Sequence, residues 1–222
     1  MAGPGVRLSG QQREALVRDG YLLVGSLLEQ ADLDQITGRL TEVVSRTVAA
    51  WAADPGSVIE PGVVRAKLSV DDPDFARCLE HPLLADAATA VLGDGWHRVA
   101  LGMRAPLPGG GDQGLHADYE RRRPGERPWQ TLSAMWCISA FTTDNGPLRV
   151  IPGSHQVSEP PIDIAEYASG MGPHPDEVRI VAPAGSVILF NNADLWHSGT
   201  RNNSTAPRLA VTAGLRPGGG VG

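Results

Sequence analysis

Two residues of metal-binding type stand close together in the middle of this 222-residue chain, in the run His116-Ala117-Asp118. On a β-strand, side chains two positions apart point to the same face, so the imidazole and the carboxylate can converge on one ion. They supply two members of the 2-His-1-carboxylate set, which binds iron(II) and leaves coordination positions open. His197, just past an apolar run at residues 186–190, is the best-placed source of the third ligand.

An arginine, Arg208, stands eleven positions after this distal histidine and begins another β-like run. A guanidinium near such a metal suits a carboxylate-bearing cosubstrate, because its planar fork binds both carboxylate oxygens at once. A lone His-x-Asp pair is weak evidence, and the alternative is a hydrogen-bonded loop histidine beside a solvated turn aspartate. The ordered set of His-x-Asp, distal histidine and arginine is much more specific.

Helical patterns fill the first part of the chain. Ser9 and Gln12 form a capping-box pattern, which predicts a short helix directly after it. Apolar residues recur at helical spacing over residues 30–52 and predict a second helix with one face packed inward. A third helix is predicted over residues 73–92, with Pro82 as the point where it could break.

Short β-like runs alternate with Gly/Pro clusters from Arg98 onward, which is typical of a sandwich or barrel. The runs at residues 178–181 and 186–190 are predicted to form a hairpin. His197 and Arg208 are predicted to flank one turn and to lie on neighbouring strands. Metal and guanidinium would then be about one cosubstrate length apart.

Composition and charge narrow the classes of protein to which the chain can belong. The formal net charge is −6, which argues against general attraction to nucleic acid or to an anionic membrane. The chain has two cysteines, Cys78 and Cys137, so a disulfide framework is not expected. No stretch is apolar for long enough to act as a signal peptide or a membrane span, so the cytoplasm is the expected compartment. The expected partner is a small molecule, and the oligomeric state stays open.

The length predicts one domain over residues 1–217, because jelly-roll and barrel domains reach this size undivided. Its helical part would cover residues 1–95 and its β core residues 96–217. Residues 218–222 form a glycine-rich tail that is expected to be flexible.

Five sequence blocks, in order along nearly the whole chain, resemble the phytanoyl-CoA dioxygenase (PhyH) family of iron(II)- and 2-oxoglutarate-dependent oxygenases. The most characteristic block is the run DNGPLRVIPGSH at residues 144–155. The resemblance implies a mainly β fold with flanking helices, built on a double-stranded β-helix (jelly-roll, cupin-like) core. The other blocks are residues 8–24, residues 81–93, the His-x-Asp motif, and His197 followed by Asn202, Ser204 and Arg208.

The resemblance implies a role for each matching residue. His116, Asp118 and His197 would bind iron(II), and Arg208 would pair with the distal carboxylate of 2-oxoglutarate. Trp136 falls where family members can present an aromatic residue to this cosubstrate, with ordinary core packing as the alternative.

One position departs from the family pattern. Two residues after the distal histidine, many relatives have a serine that helps to bind the cosubstrate, whereas this chain has Gly199. Thr200, Ser204 or a water molecule could take over that contact.

The reaction that the resemblance implies is hydroxylation of an unactivated C–H bond with O2, with release of succinate and CO2. Ascorbate is expected to help in vitro. Asp118 indicates an oxygenase, because halogenating relatives replace this carboxylate by a small residue. Desaturation, epimerisation and cyclisation use the same ligands and stay open. A silent binding protein and a non-oxidative cupin-type metalloenzyme are two further alternatives; Arg208 argues against the second, whereas Gly199 keeps it open.

The substrate is the least determined feature. Arg121, Arg122 and Arg123 follow the His-x-Asp motif and could clamp a carboxylate or phosphate of the substrate, although a solvated loop is the alternative. Residues 159–177 look like a long insert between strands, of the kind that often forms a lid or binding loop. Since Lys67 is the only lysine, the composition is typical of a GC-rich bacterial genome. A small natural product or carboxylated metabolite is the favoured substrate, and a fatty acyl-CoA is the second choice.

Overall fold

The computed structural model describes residues 6–58, 60–119, 128–157 and 173–218. Helices dominate its first part. They are α1 (Gly10–Asp19), α2 (Gln30–Ala53), α3 (Pro73–Glu80) and α4 (Pro82–Leu92).

The helix ends follow from local sequence. Ser9 and Gln12 form the predicted capping box at α1, and Gly20 ends this helix in the left-handed conformation, which costs glycine nothing. The helix predicted over residues 73–92 is two helices, because Pro82 occupies the first turn of α4. His81 separates them, and its Nδ1 accepts a hydrogen bond from the Leu83 N–H at 3.2 Å.

Within the described residues, nine strands form two antiparallel sheets that enclose a jelly-roll interior. The six-stranded sheet has the order β1-β7-β4-β9-β3-β2, and the three-stranded sheet has the order β6-β5-β8. The strands are β1 (Tyr21–Val24), β2 (Val63–Lys67), β3 (His97–Pro106), β4 (Leu132–Cys137), β5 (Leu148–Val150), β6 (Val178–Arg179), β7 (Val187–Phe190), β8 (His197–Gly199) and β9 (Ala210–Arg216). The predicted fold class, mainly β with flanking helices on a jelly-roll core, is confirmed.

The three central strands of the large sheet, β7, β4 and β9, divide their side chains between two cores. On β4, Ala134 and Trp136 face the helices and join the larger hydrophobic cluster. Met135 and Cys137, on the other face, join the smaller cluster between the sheets. This alternation follows from the two-residue period of a strand. The space between the sheets is therefore reached only from alternate positions of each strand.

The structure corrects two predicted strand pairings. Residues 178–181 and 186–190 do not form a hairpin, because β6 pairs with β5 whereas β7 lies between β1 and β4. His197 and Arg208 do not lie on neighbouring strands, because β8 belongs to the small sheet and β9 to the large one. They approach each other across the interior of the jelly roll instead.

Three further predictions concern residues that the structure describes. The first 95 residues contribute β1 and β2 to the large sheet in addition to the helices. Cys78 and Cys137 are both buried and free. In the part of the chain that is described, no helix combines the length and the apolar character needed to cross a bilayer. Most of the insert at residues 159–177 lies outside the described residues.

Candidate iron and 2-oxoglutarate site

His116 and His197 are brought together by backbone pairing. They form an antiparallel bridge in which each backbone N–H donates to the carbonyl of the other residue, at 3.0 and 2.9 Å. His116 therefore extends the small sheet on the side of β8 that does not pair with β5. Because of this pairing, the two imidazole rings lie side by side with centroids 4.7 Å apart.

The hydrogen bonds of both rings decide which nitrogen is free. Nδ1 of His116 lies 2.8 Å from the carbonyl of Gly114, and Nδ1 of His197 lies 2.8 Å from the carbonyl of Leu195. A carbonyl only accepts, so each Nδ1 carries the proton and donates it. Nε2 of each neutral ring keeps its lone pair, which is the arrangement that a metal-binding histidine requires.

Asp118 completes the cluster. Its Oδ1 lies 3.5 Å from Nε2 of His116 and 3.9 Å from Nε2 of His197. Its other oxygen, Oδ2, accepts a 2.7 Å hydrogen bond from the side-chain amide of Asn192. Its backbone N–H donates to the Asn192 carbonyl, so this asparagine fixes both the main chain and the side chain of the aspartate.

The electrostatics of the cluster favour the metal-binding state of Asp118 and of His197. Although burial opposes its ionisation, the pKa of Asp118 is held down at about 2 by His116, His197 and Asn192. Burial lowers the pKa of His197 to about 4, so this imidazole is neutral near pH 7. The hydrogen bond to Asp118 raises the pKa of His116. One potential ligand atom from each of the three residues lies within 4.8 Å of the others.

The cluster opens into a cavity of about 210 Å³ between the two sheets. Its lining includes the three residues above together with Arg104, Gln113 and Arg208. Because the three potential ligands border this cavity, a metal bound to them would keep coordination positions open toward it.

Arg208 points into the same cavity from just before β9. It is 1% exposed, its Cζ lies 4.1 Å from the centroid of the Phe141 ring, and burial lowers its pKa to about 9. Its Nε and Nη2 have no hydrogen-bond partner among the described residues. A buried guanidinium without an anion is unfavourable, so the site fits a ligand that brings a carboxylate to this position.

Trp136 does not line this cavity. It is fully buried on the helix-facing side of β4, and its Nε1 donates to the Cys78 carbonyl at 2.8 Å. The alternative of core packing therefore describes this residue, and Met135, one position earlier, faces the cavity instead.

The two hydroxyls predicted to replace the family serine make other contacts. Thr200 donates to the Pro147 carbonyl at 2.8 Å, and Ser204 bonds to Asn202 and to the Ala206 carbonyl. The Thr200 hydroxyl links the end of β8 to the segment before β5, and the Ser204 hydroxyl stabilises a local turn. Neither residue lines the cavity, whereas Gly199 does. Arg121, Arg122 and Arg123, predicted to contact substrate, lie outside the described residues.

Sequence reasoning missed three residues of the site: Arg104, Gln113 and Asn192. Arg104 was detectable in principle, since an arginine flanked by apolar residues in a predicted strand is unusual unless it is paired. Gln113 and Asn192 lie in loops, where the sequence carries no signal for which way a side chain points. Their roles depend on the packing of loops from distant parts of the chain.

Comparison with known proteins places this site in a family. The sequence profile of the phytanoyl-CoA dioxygenase (PhyH) family matches residues 16–210. The chain is 32% identical over 233 aligned positions to the ectoine dioxygenase of Sphingopyxis alaskensis. This alignment covers 90% of this chain and 73% of that protein.

Solved structures share the fold. HygX from Streptomyces hygroscopicus, solved with nickel, 2-oxoglutarate and hygromycin B, superposes with a TM-score of 0.72 at 19% identity over 95% of this chain and 88% of that one. The 2-oxoglutarate-dependent epimerase SnoN from nogalamycin biosynthesis superposes with a TM-score of 0.69 at 16% identity, covering 93% and 82% of the two chains. The chain therefore belongs to the phytanoyl-CoA dioxygenase family and is a non-haem iron dioxygenase that depends on 2-oxoglutarate.

Proposed function

We propose that His116, Asp118 and His197 hold the iron of this enzyme, and that Arg208 binds the distal carboxylate of 2-oxoglutarate. The observation that carries the proposal is the shared cavity. Three metal-binding groups stand on one wall, and a buried arginine faces the same space with two nitrogens that have no partner among the residues described. A dicarboxylate with a keto-acid end can bind a metal at the three groups with that end and pair with the arginine through its other carboxylate.

The residues of the chain bind and orient the reactants. Gly114 and Leu195 hold each imidazole by its Nδ1 proton, so that both Nε2 atoms face the cavity. Asn192 occupies one oxygen of Asp118 and leaves the other, Oδ1, beside the histidines. Iron(II) bound there would, with 2-oxoglutarate and O2, supply the oxidising power for C–H hydroxylation, releasing succinate and CO2.

We infer that the substrate is a small metabolite or natural-product intermediate, and that it is hydroxylated in the cytoplasm, where reducing conditions keep iron ferrous. The formal net charge of −6 disfavours a fatty acyl-CoA, whose phosphates are anionic. A structure of the same fold binds the small molecule hygromycin B, which supports this class. Arg121, Arg122 and Arg123 would clamp an anionic group of the substrate.

Succinate release tests the activity. Purified protein with iron(II), ascorbate and 2-oxoglutarate should release succinate slowly alone, and faster when a candidate metabolite is added. Asp118→Ala, prepared in parallel, should release none. Metal-dependent conversion of a substrate without succinate would favour a non-oxidative metalloenzyme instead.

Epimerisation is the second candidate, because a protein of this fold is an epimerase. The mass of the product separates the two reactions, since hydroxylation adds one oxygen atom and epimerisation leaves the mass unchanged.

A triple Arg→Gln variant at positions 121–123 tests the proposed clamp. The variant should bind an anionic substrate more weakly than the wild type, and this difference should shrink with added salt because exposed charge pairs are screened.

A further inference from the structure

A chain of hydrogen bonds runs from the start of β4 to the proposed metal site. Oγ1 of Thr131 donates to Oδ1 of Asn192 at 2.5 Å, and Nδ2 of Asn192 donates to Oδ2 of Asp118 at 2.7 Å. Thr131 directly precedes β4 and does not line the cavity, whereas Asp118 does. The influence of this threonine on the site therefore passes through Asn192.

Chemistry fixes the direction of both hydrogen bonds. An ionised carboxylate only accepts, so Asn192 must turn its NH2 group toward Asp118. The carbonyl oxygen of the same amide then faces Thr131, whose hydroxyl must donate to it. With the amide turned the other way, its carbonyl oxygen would face the carboxylate oxygen and repel it. The threonine hydroxyl thereby selects the one orientation of the amide that can hold Asp118.

Burial makes the first two members of this chain rigid. Thr131 is 5% exposed and Asn192 is 9% exposed, whereas the side chain of Asp118 is 41% exposed. Breaking the bond between two such buried groups would leave both without a partner, which is costly. Leu132, the neighbour of Thr131, pairs with Leu215 in the large sheet. An exposed carboxylate is thus tied to a fixed point of the large sheet.

This tie makes the two oxygens of Asp118 unequal. Oδ1 lies 3.5 Å from Nε2 of His116 and 3.9 Å from Nε2 of His197, whereas Oδ2 is held by Asn192. A carboxylate can bind a metal through one oxygen or through both. An oxygen that already accepts a short hydrogen bond has less electron density to give to a metal. Oδ1 is consequently the oxygen that this arrangement offers.

We propose that Thr131 is a positioning residue that, through Asn192, restricts Asp118 to one metal-binding oxygen. This inference rests on the proposed role of Asp118 as an iron ligand. Three ligand atoms on one face of octahedral iron leave three positions open, whereas an aspartate bound through both oxygens would leave two. The keto-acid end of 2-oxoglutarate takes two positions and O2 takes one, so only the first arrangement has room for both.

Thr131→Val and Thr131→Ser form a matched pair of variants. Valine keeps the branched shape of threonine without the hydroxyl, and serine keeps the hydroxyl without the methyl group. Each protein would be saturated with cobalt(II), whose visible absorption reports the number and arrangement of its ligands. The spectrum of Thr131→Val should differ from that of the wild type, because Oδ2 becomes free to bind the metal. The spectrum of Thr131→Ser should match the wild type.

Keto-acid binding to the cobalt proteins measures the consequence without turnover. In Thr131→Val the keto-acid end must displace Oδ2, so the Kd for 2-oxoglutarate should rise by about 10-fold, a usual effect of losing an outer partner of a ligand. 2-Oxopentanoate, which has the same keto-acid end but no distal carboxylate, should weaken by the same factor. Thr131→Ser should bind both like the wild type.

Asn192→Ala tests whether the hydroxyl acts through the amide. This variant should weaken both keto acids at least as much as Thr131→Val does. Adding Thr131→Val to Asn192→Ala should then cause no further loss, because groups that act in one chain are not additive. Circular dichroism and thermal unfolding of the metal-free variants would verify the fold.

The outcomes separate this inference from the function on which it rests. Wild-type spectrum or wild-type keto-acid affinity in folded Thr131→Val, an equal loss in Thr131→Ser, or additive losses in the double variant would each overturn the role of Thr131. If Asp118→Ala loses cobalt(II) binding while Thr131→Val behaves like the wild type, the proposed function stands and only this inference fails. Undiminished cobalt(II) binding by Asp118→Ala would instead remove Asp118 from the proposed metal site.

Discussion

His116 and His197 each donate one ring proton to a backbone carbonyl two residues earlier in the chain. Such bonds restrict rotation of the imidazole and select the tautomer with Nε2 free. The protein itself therefore holds the three proposed ligand groups close together. Little reorganisation is needed when the metal binds.

The ligand assignment predicts the behaviour of three single variants. His116→Ala, Asp118→Ala and His197→Ala should each lose most of the affinity for iron(II), because two ligands hold a divalent ion far more weakly than three. Folding should persist, since the ligands border a cavity and not the packed clusters. Anaerobic iron titration with circular dichroism measures both effects. Undiminished metal binding by one of the variants would remove that residue from the set.

Arg208 makes a second prediction at the level of the residue. Arg208→Lys keeps one charge but loses the planar fork, so the binding free energy of 2-oxoglutarate should weaken by about 1–3 kcal/mol. Iron binding should be nearly unchanged, since Arg208 is not a ligand. Calorimetric titration of wild type and variant, first with iron(II) and then with 2-oxoglutarate, measures the two affinities. If lysine served equally well, Arg208 would act only through its charge.

At the level of elements, one buried arginine connects the pieces of the site. The Nε of Arg149 on β5 donates to Ser198 on β8 at 2.6 Å, and its Nη2 donates to the Gln113 carbonyl at 3.1 Å. Its Nη1 pairs with Glu177 at 2.9 Å. Arg149 thereby fixes the strand that carries His197 relative to the loop that leads to His116.

Glu177→Gln tests this connection through its pH dependence. Despite burial, the pKa of Glu177 is lowered below 4.5 by hydrogen bonds from Arg179, from the His174 N–H and from Arg149. A carboxyl whose pKa is depressed in the folded state stabilises it above the unfolded pKa, and this contribution is lost as the pH falls through the folded pKa. The variant should be less stable by about 1–3 kcal/mol at pH 7, as expected for a lost charged hydrogen bond.

Urea unfolding at several pH values measures this loss. The gap between wild type and variant should narrow as the pH falls from about 4.5, the ordinary pKa of a glutamate, through the lower pKa that Glu177 has in the folded protein. Arg18→Gln is the control, because the Arg18–Asp19 pair is exposed and its loss should leave the free energy of unfolding nearly unchanged. A gap that stays constant with pH would show that the charge of Glu177 does not contribute.

At the level of the whole molecule, the helices and the sheet share one core. The larger cluster joins Leu16 of α1 and Ile36 of α2 to Ala134 and Leu189 of the large sheet. We therefore expect one cooperative thermal transition, in which the calorimetric enthalpy equals the van't Hoff enthalpy. Two separated transitions would contradict the prediction that residues 1–217 form one domain.

The sequence by itself determined the chemistry and the local elements. The proposed iron ligands His116, Asp118 and His197 and the proposed cosubstrate residue Arg208 could be selected by residue type and order in the sequence. The helices were also predictable, because caps and periodicity act within a few residues. The capping box at the start of α1 consists of hydrogen bonds between Ser9 and Gln12, three residues apart.

Only the tertiary structure decided which strands pair and which way their side chains face. The backbone hydrogen bonds of all strands are alike, so pairing β6 with β5 and β7 with β4 depends on contacts far apart in the chain. A shift of one residue turns a side chain to the opposite face of a sheet. For this reason Trp136 packs against helices while Met135 lines the cavity, and Arg104, one apolar-flanked residue in the sequence, reaches the site.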